Sequence, residues 1–170
     1  MMKSDKELRL KSLALLEERG VAIADIADLV LCLQNQYIED LTLEECIDSV
    51  NAVLSKREVQ NAIITGIELD MLAEQKELSQ PLNDILMEDE GLYGIDEILA
   101  LSIVNVFGSI GFTNYGYIDK IKPGIIKQLN SKDGQHCHTF LDDIVGAIAA
   151  SAASRIAHSS PDKSAITNQN

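Results

Sequence analysis

The sequence predicts an all-α protein built as a single compact multi-helix domain. Three observations carry that expectation. Apolar residues recur at three- and four-residue spacing along most of the chain, the period of a helix face. No stretch shows the apolar–polar alternation of a half-buried strand. The only prolines are Pro81, Pro123 and Pro161, so long stretches meet no helix breaker. At 170 residues one domain can bury a sizeable core. Aromatics are only 4% and Trp is absent, so aliphatic side chains must fill that core.

The elements follow in order. Ser4-Asp5-Lys6-Glu7 has the capping-box pattern and opens a helix through Leu8, Leu13 and Leu16 that ends at Gly20. A second helix is predicted over 23–36, with Ile26, Leu29, Val30 and Leu33 on one face. Thr42 and Glu45 form another capping box and start a third, to about Ser55. A long helical pattern over 56–78 carries Val59, Ile63, Ile67 and Met71, interrupted by Gly66, where a close backbone approach would explain the glycine. Pro81 suits the first turn of a short helix over 81–88, and residues 88–94 read as an acidic loop. A buried helix is expected over 95–107, a Gly-rich interruption over 108–116, a helix over 117–130, and a turn at 131–134. The final helix spans 139–158, and 159–170 reads as a flexible tail. The expected division is an amino-terminal helical extension over 1–55 and a core over 56–158.

Charge narrows the partners. A formal charge of −13 excludes the basic stripe that a nucleic-acid binder needs, and opposes adhesion to anionic lipid. Cys32, Cys46 and Cys137 share no close spacing, which predicts reduced thiols in the cytoplasm. No apolar run of about 18 residues is present to span a bilayer. His136-Cys137-His138 offers soft-metal ligands, but three so close together cannot readily face one ion. The small residues Gly146, Ala149, Ala150, Ala153 and Ser154 form a stripe that allows close helix packing, within the chain or across a homo-oligomer.

The most telling stretch is Leu141-Asp142-Asp143-Ile144-Val145-Gly146-Ala147, two carboxylates in the first turn of a mostly apolar helix. They suit the positive end of the helix dipole, and equally a hard-cation site. Upstream lies a second cluster, Glu88, Asp89 and Glu90, followed by Asp96 and Glu97. Between them Asp119-Lys120-Ile121-Lys122-Pro123 places an acid beside two lysines, which can meet phosphate oxygens near metal-holding acids. The 108–116 segment can offer backbone N–H groups to phosphate, although no Gly-Lys-Ser/Thr follows to make a P-loop.

In this order the segments Asp89-Glu90-Gly91-Leu92-Tyr93-Gly94, Asp119-Lys120-Ile121-Lys122-Pro123-Gly124-Ile125-Ile126 and Leu141-Asp142-Asp143-Ile144-Val145-Gly146-Ala147 resemble the motifs of the phosphatidylglycerophosphatase A family, in its soluble Gram-positive branch. Asp96-Glu97 is a rival alignment for the first segment. The resemblance implies Mg²⁺-dependent hydrolysis of phosphatidylglycerophosphate to phosphatidylglycerol and phosphate. It implies metal or catalytic roles for Asp89, Glu90, Asp119, Asp142 and Asp143 and a phosphate role for Lys122. With the residue pattern, the expected assignment is metal ligation by Asp89, Glu90, Asp142 and Asp143, catalysis by Asp119 and Asp143, and substrate binding by Lys120 and Lys122. It also implies a phospholipid phosphate ester as partner and a cytoplasmic protein with peripheral contact at the inner face of the membrane. Two other readings stay open: a non-catalytic helical binding protein, and a phosphatase for a water-soluble ester.

Overall fold

Residues 141–159 form a helix whose middle, 144–154, is hydrophobic or small on every side, and a helix of that kind has to sit inside the protein. The computed structural model describes residues 4–131 and 133–159. Among them are nine helices and no strand: α1 Asp5–Glu18, α2 Ile23–Gln34, α3 Leu43–Leu54, α4 Arg57–Glu74, α5 Leu82–Glu88, α6 Ile95–Val104, α7 Ser109–Ile121, α8 Ile125–Leu129 and α9 Leu141–Ser159. α9 runs through the middle, packed against α2, α3, α4, α6, α7 and α8, while α1 and α5 lie against α4. Every residue from Leu141 to Ser154 is buried.

Local sequence explains the ends. Ser4 and Thr42 accept the N–H groups of Glu7 and Glu45, whose carboxylates return to the cap N–H, so both predicted capping boxes form. Gly66 lies on α4 where a Cβ would run into Ile144 and stand 3.0 Å from Phe140 and 3.2 Å from Leu99. That is the close backbone approach expected there, and it brings α4 onto the first turns of α9.

Several expectations need correction. The segment 108–116 is not a Gly-rich interruption, because α7 runs from Ser109 to Ile121. Its N–H groups beyond the first turn serve the helix and are not available as a phosphate cradle. Gly111 is there for packing: a Cβ would stand 3.0 Å from Val104. The helix predicted over 117–130 is broken at Lys122, which ends α7 at φ +42°, and at Gly124, φ +54°. Pro81 precedes α5 as its cap residue. α6 buries only one side, since Ile95 and Ile98 are exposed. The small-residue stripe of α9 is consumed within the chain, with Gly146 against Ile118, Ile126 and Tyr115 of α7 and α8, so it offers no face to a second copy. The tail expected beyond Ser159 lies outside the described residues.

Candidate active site

The α9 start is where the acids meet. Asp142 and Asp143 occupy its first turn and are 8% and 7% exposed, low enough that each carboxylate must find a partner or stay protonated. They open onto a cleft of about 260 Å³ whose wall also holds Asp89, Glu90, Asp96, Glu97, Asp119, Lys122 and Asn130. Separate segments deliver these groups. Asp89 ends α5 in a left-handed conformation, φ +52°, which Asp tolerates better than most residues, and this turns the chain into the acidic loop. Tyr93 in that loop meets Phe140 edge-to-face, centroids 5.9 Å apart, tying the loop to the start of α9. The left-handed turn at Lys122 folds the end of α7 back toward α9.

Lys122 Nζ donates to Asp119 Oδ1 at 3.2 Å and to Asp142 Oδ2 at 3.5 Å. Asn130 Nδ2 donates to Asp142 Oδ2 at 2.6 Å. Asp142 is therefore the better satisfied of the pair. Burial pushes its carboxyl up to about 6, with Lys122 and Asn130 pulling the other way. Burial and the charges of Asp142, Asp96 and Asp119 push Asp143 up to about 8. Asp96 is raised by burial as well. Lys122 is disfavoured by burial, but Asp142 and Asp119 outweigh that and raise its pKa, so it stays charged. Among the described residues the cleft lining counts seven carboxyl groups and one ammonium.

Beneath the same helix turn lies a second polar group that sequence reasoning missed. Asp70 on α4 is fully buried and accepts hydrogen bonds from Phe140 N–H at 3.1 and 3.2 Å and from Leu141 N–H at 3.0 Å. Its signal was present, an acid on the apolar stripe of Ile63, Ile67 and Ala73. One turn on, Glu74 pairs with Arg19, and the two hold Cys137 between them: Cys137 N–H donates to Glu74 at 2.7 Å, and Arg19 donates to Cys137 O at 2.8 Å. Tyr115 was missed too. Its hydroxyl is buried beside Asp143 without a well-formed hydrogen bond among the described residues.

The predicted residues are brought together unevenly. Asp89, Glu90, Asp119, Lys122, Asp142 and Asp143 all line the cleft, and so do the rival pair Asp96 and Glu97. Lys120 is exposed on α7 and is not part of the wall. Cys137 is buried against Leu86 O and Asp70, and His138 Nδ1 is engaged with Leu129 O. Among the described residues no group of three His, Cys, Asp or Glu side chains is gathered to hold an ion, at the histidines or in the cleft. No helix among them is long and apolar enough to cross a membrane.

Fold and cleft define an all-helical domain with a pocket lined by carboxylates. Residues 12–158 match the phosphatidylglycerophosphatase A family, and the chain belongs to it. The match begins within α1 and so takes in α2 and α3. Among relatives, the chain is 65% identical to YutG of Bacillus subtilis (strain 168) over 152 residues, 89% of this chain and 92% of that one. It is 58% identical to YpjQ of the same strain over 149 residues, 87% and 83% of the two chains. Both relatives are described only as uncharacterized proteins. The crystal structure of the low temperature requirement C protein from Listeria monocytogenes is similar at TM-score 0.88 and 66% identity, covering 89% of this chain and 96% of that one.

Proposed function

We propose that the chain is a Mg²⁺-dependent phosphomonoesterase that hydrolyses phosphatidylglycerophosphate to phosphatidylglycerol and phosphate. One observation carries the reading: three acidic segments far apart in sequence line a single cleft, with Lys122 bonded to both Asp119 and Asp142. The donor chemistry suits a hard divalent cation, because among the described residues the lining offers carboxylate and amide oxygens and neither imidazole nor thiol. Asp89, Glu90, Asp142 and Asp143 would hold the ion. When bound, Mg²⁺ supplies Lewis acidity toward the phosphoryl group.

The chain's own residues do the rest. Lys122 directs its ammonium at charge developing on the phosphoryl oxygens. Asn130 and Lys122 hold Asp142 ionised and oriented. Asp119 on α7 and Asp143 on α9 are the carboxylates assigned to proton transfer with the attacking water. A cleft of about 260 Å³ admits a phosphorylated head group, and the acyl chains have to stay outside it. Beside the cleft-lining Gly91, Gly94, Asp96 and Glu97, the side chains of Leu92, Ile95 and Ile98 are exposed, Leu92 at 92%. An apolar rim of this kind favours a lipid ester over a water-soluble one. The reading places the protein in the cytoplasm with peripheral contact at the inner face of the membrane.

Phosphate release from short-chain phosphatidylglycerophosphate and from a generic phosphomonoester, with Mg²⁺ and then with EDTA, tests it. Turnover of the lipid that EDTA abolishes is expected. Turnover of the generic ester alone replaces the lipid reading with a water-soluble substrate, and turnover of neither leaves a binding protein.

A further inference from the structure

Asp70 has no place in the chemistry above, yet it is the most completely enclosed acid among the described residues, at 0% exposure. A buried carboxylate costs stability unless its acceptors are answered. Here the donors come from one place. The first N–H groups of a helix lack intrahelical partners, and a cap side chain from the residue before the helix normally takes one of them. At α9 that service comes from another helix: both Asp70 oxygens take Phe140 N–H, and Oδ2 also takes Leu141 N–H. The residue following Leu141 is Asp142. Thr139 Oγ1, just upstream, donates to Leu86 O at 2.7 Å, and Cys137 Sγ donates to the same oxygen at 3.3 Å. Leu86 lies on α5, three residues before Asp89. The turn that carries Asp142 and Asp143, and the helix that delivers Asp89, are therefore fastened to the same few atoms.

We propose that Asp70 is the positioning residue of the acidic cleft, clamping the first turn of α9 so that Asp142 and Asp143 face the α5–α6 acids across it. This rests on the reading of the cleft as a divalent-cation site. Asp70 touches neither substrate nor ion and acts only through the backbone of Phe140 and Leu141. Asn at this position keeps the shape but gives up one acceptor oxygen, and groups that orient metal ligands are worth about 10–100-fold in affinity.

The test uses Mn²⁺ as probe, with binding to the full-length protein read by electron paramagnetic resonance well below the melting temperature. Wild type, Asp70→Asn and Leu16→Ala are compared, the last being a core truncation on α1 at a residue that does not line the cleft. The expected result is Mn²⁺ binding at least about tenfold weaker in Asp70→Asn and unchanged in Leu16→Ala, although both melt earlier. Equal binding by Asp70→Asn and wild type overturns the clamp and leaves the cation site standing. No Mn²⁺ binding by wild type removes the cation site and the clamp with it. Should Asp70→Asn fail to fold, amide hydrogen exchange in the wild-type protein decides. Coupling is reciprocal, so saturating Mg²⁺ has to slow exchange at Phe140 and Leu141 relative to α1, and unchanged rates overturn the proposal.

Discussion

Two groups of acids lie on either side of one helix turn, and they are built differently. Below the start of α9, Asp70 and Glu74 are met by the N–H groups of Phe140, Leu141 and Cys137 and by Arg19. Burial would raise Glu74, but Arg19 and the Cys137 N–H outweigh it and lower its pKa. Above the turn, Lys122 and Asn130 meet Asp142 in a lining that, among the described residues, also holds Asp143 and five other acids. Among the described residues the lower set is matched by nearby donors, and the lining of the upper set counts more acids than cations. The first arrangement holds a structure together, and the second is the one proposed above to take a cation.

Substitutions sharpen that contrast. Asp142→Asn should cut Mg²⁺-dependent turnover by more than about a hundredfold, beyond what outer-shell partners cost, while circular dichroism shows an intact fold. Retained turnover would take Asp142 out of the site. Arg19→Met does the reverse. Arg19 is only 8% exposed at the side chain, and removing one partner of a buried pair leaves Glu74 uncompensated. A loss of about 3 kcal/mol in urea unfolding is expected. Asp143→Asn relieves like-charge crowding and should stabilise the metal-free protein by about 1 kcal/mol while lowering activity. Tyr115→Phe removes a buried hydroxyl that makes no well-formed hydrogen bond among the described residues, and should shift stability by less than about 1 kcal/mol.

The pH dependence separates the two groups. Asp70 is pushed up to about 8 by burial, Asp143 to about 8 and Asp142 to about 6. A carboxyl with a raised folded pKa keeps a proton that the unfolded chain has already released. Its contribution is therefore most favourable below the unfolded value of about 4 and is lost as pH rises through the folded value. In EDTA, unfolding free energy should fall between about pH 4 and pH 8. Mg²⁺ should remove the part of the slope that belongs to Asp142 and Asp143 and leave the part that belongs to Asp70. A slope indifferent to Mg²⁺ would mean that the cleft does not take the ion.

Much of this was legible before the fold was known. The capping boxes at Ser4 and Thr42 and the order of the acidic segments are local signals, and local signals survive in sequence. Gly66 could be read as a close approach because a glycine within a long apolar helix needs a reason. The same logic failed for Gly108, Gly111 and Gly116, which read together as a break. Only Gly108 takes a positive φ, and Gly111 serves packing inside α7. Asp70 and Arg19 were missed because their partners are backbone groups and a side chain 55 to 118 residues away. Lys120 and Lys122 could not be told apart, since the choice between them depends on the left-handed turn at Lys122.

Gly66 has one more consequence. The spacing between α4 and α9 there is set by a missing methyl group, and α4 carries Asp70 one turn further along. A Gly66→Ala exchange would act as a wedge, prising the clamp from the aspartates it steadies without touching either. The width of the acidic cleft is in that sense written on a buried residue that is no part of its wall.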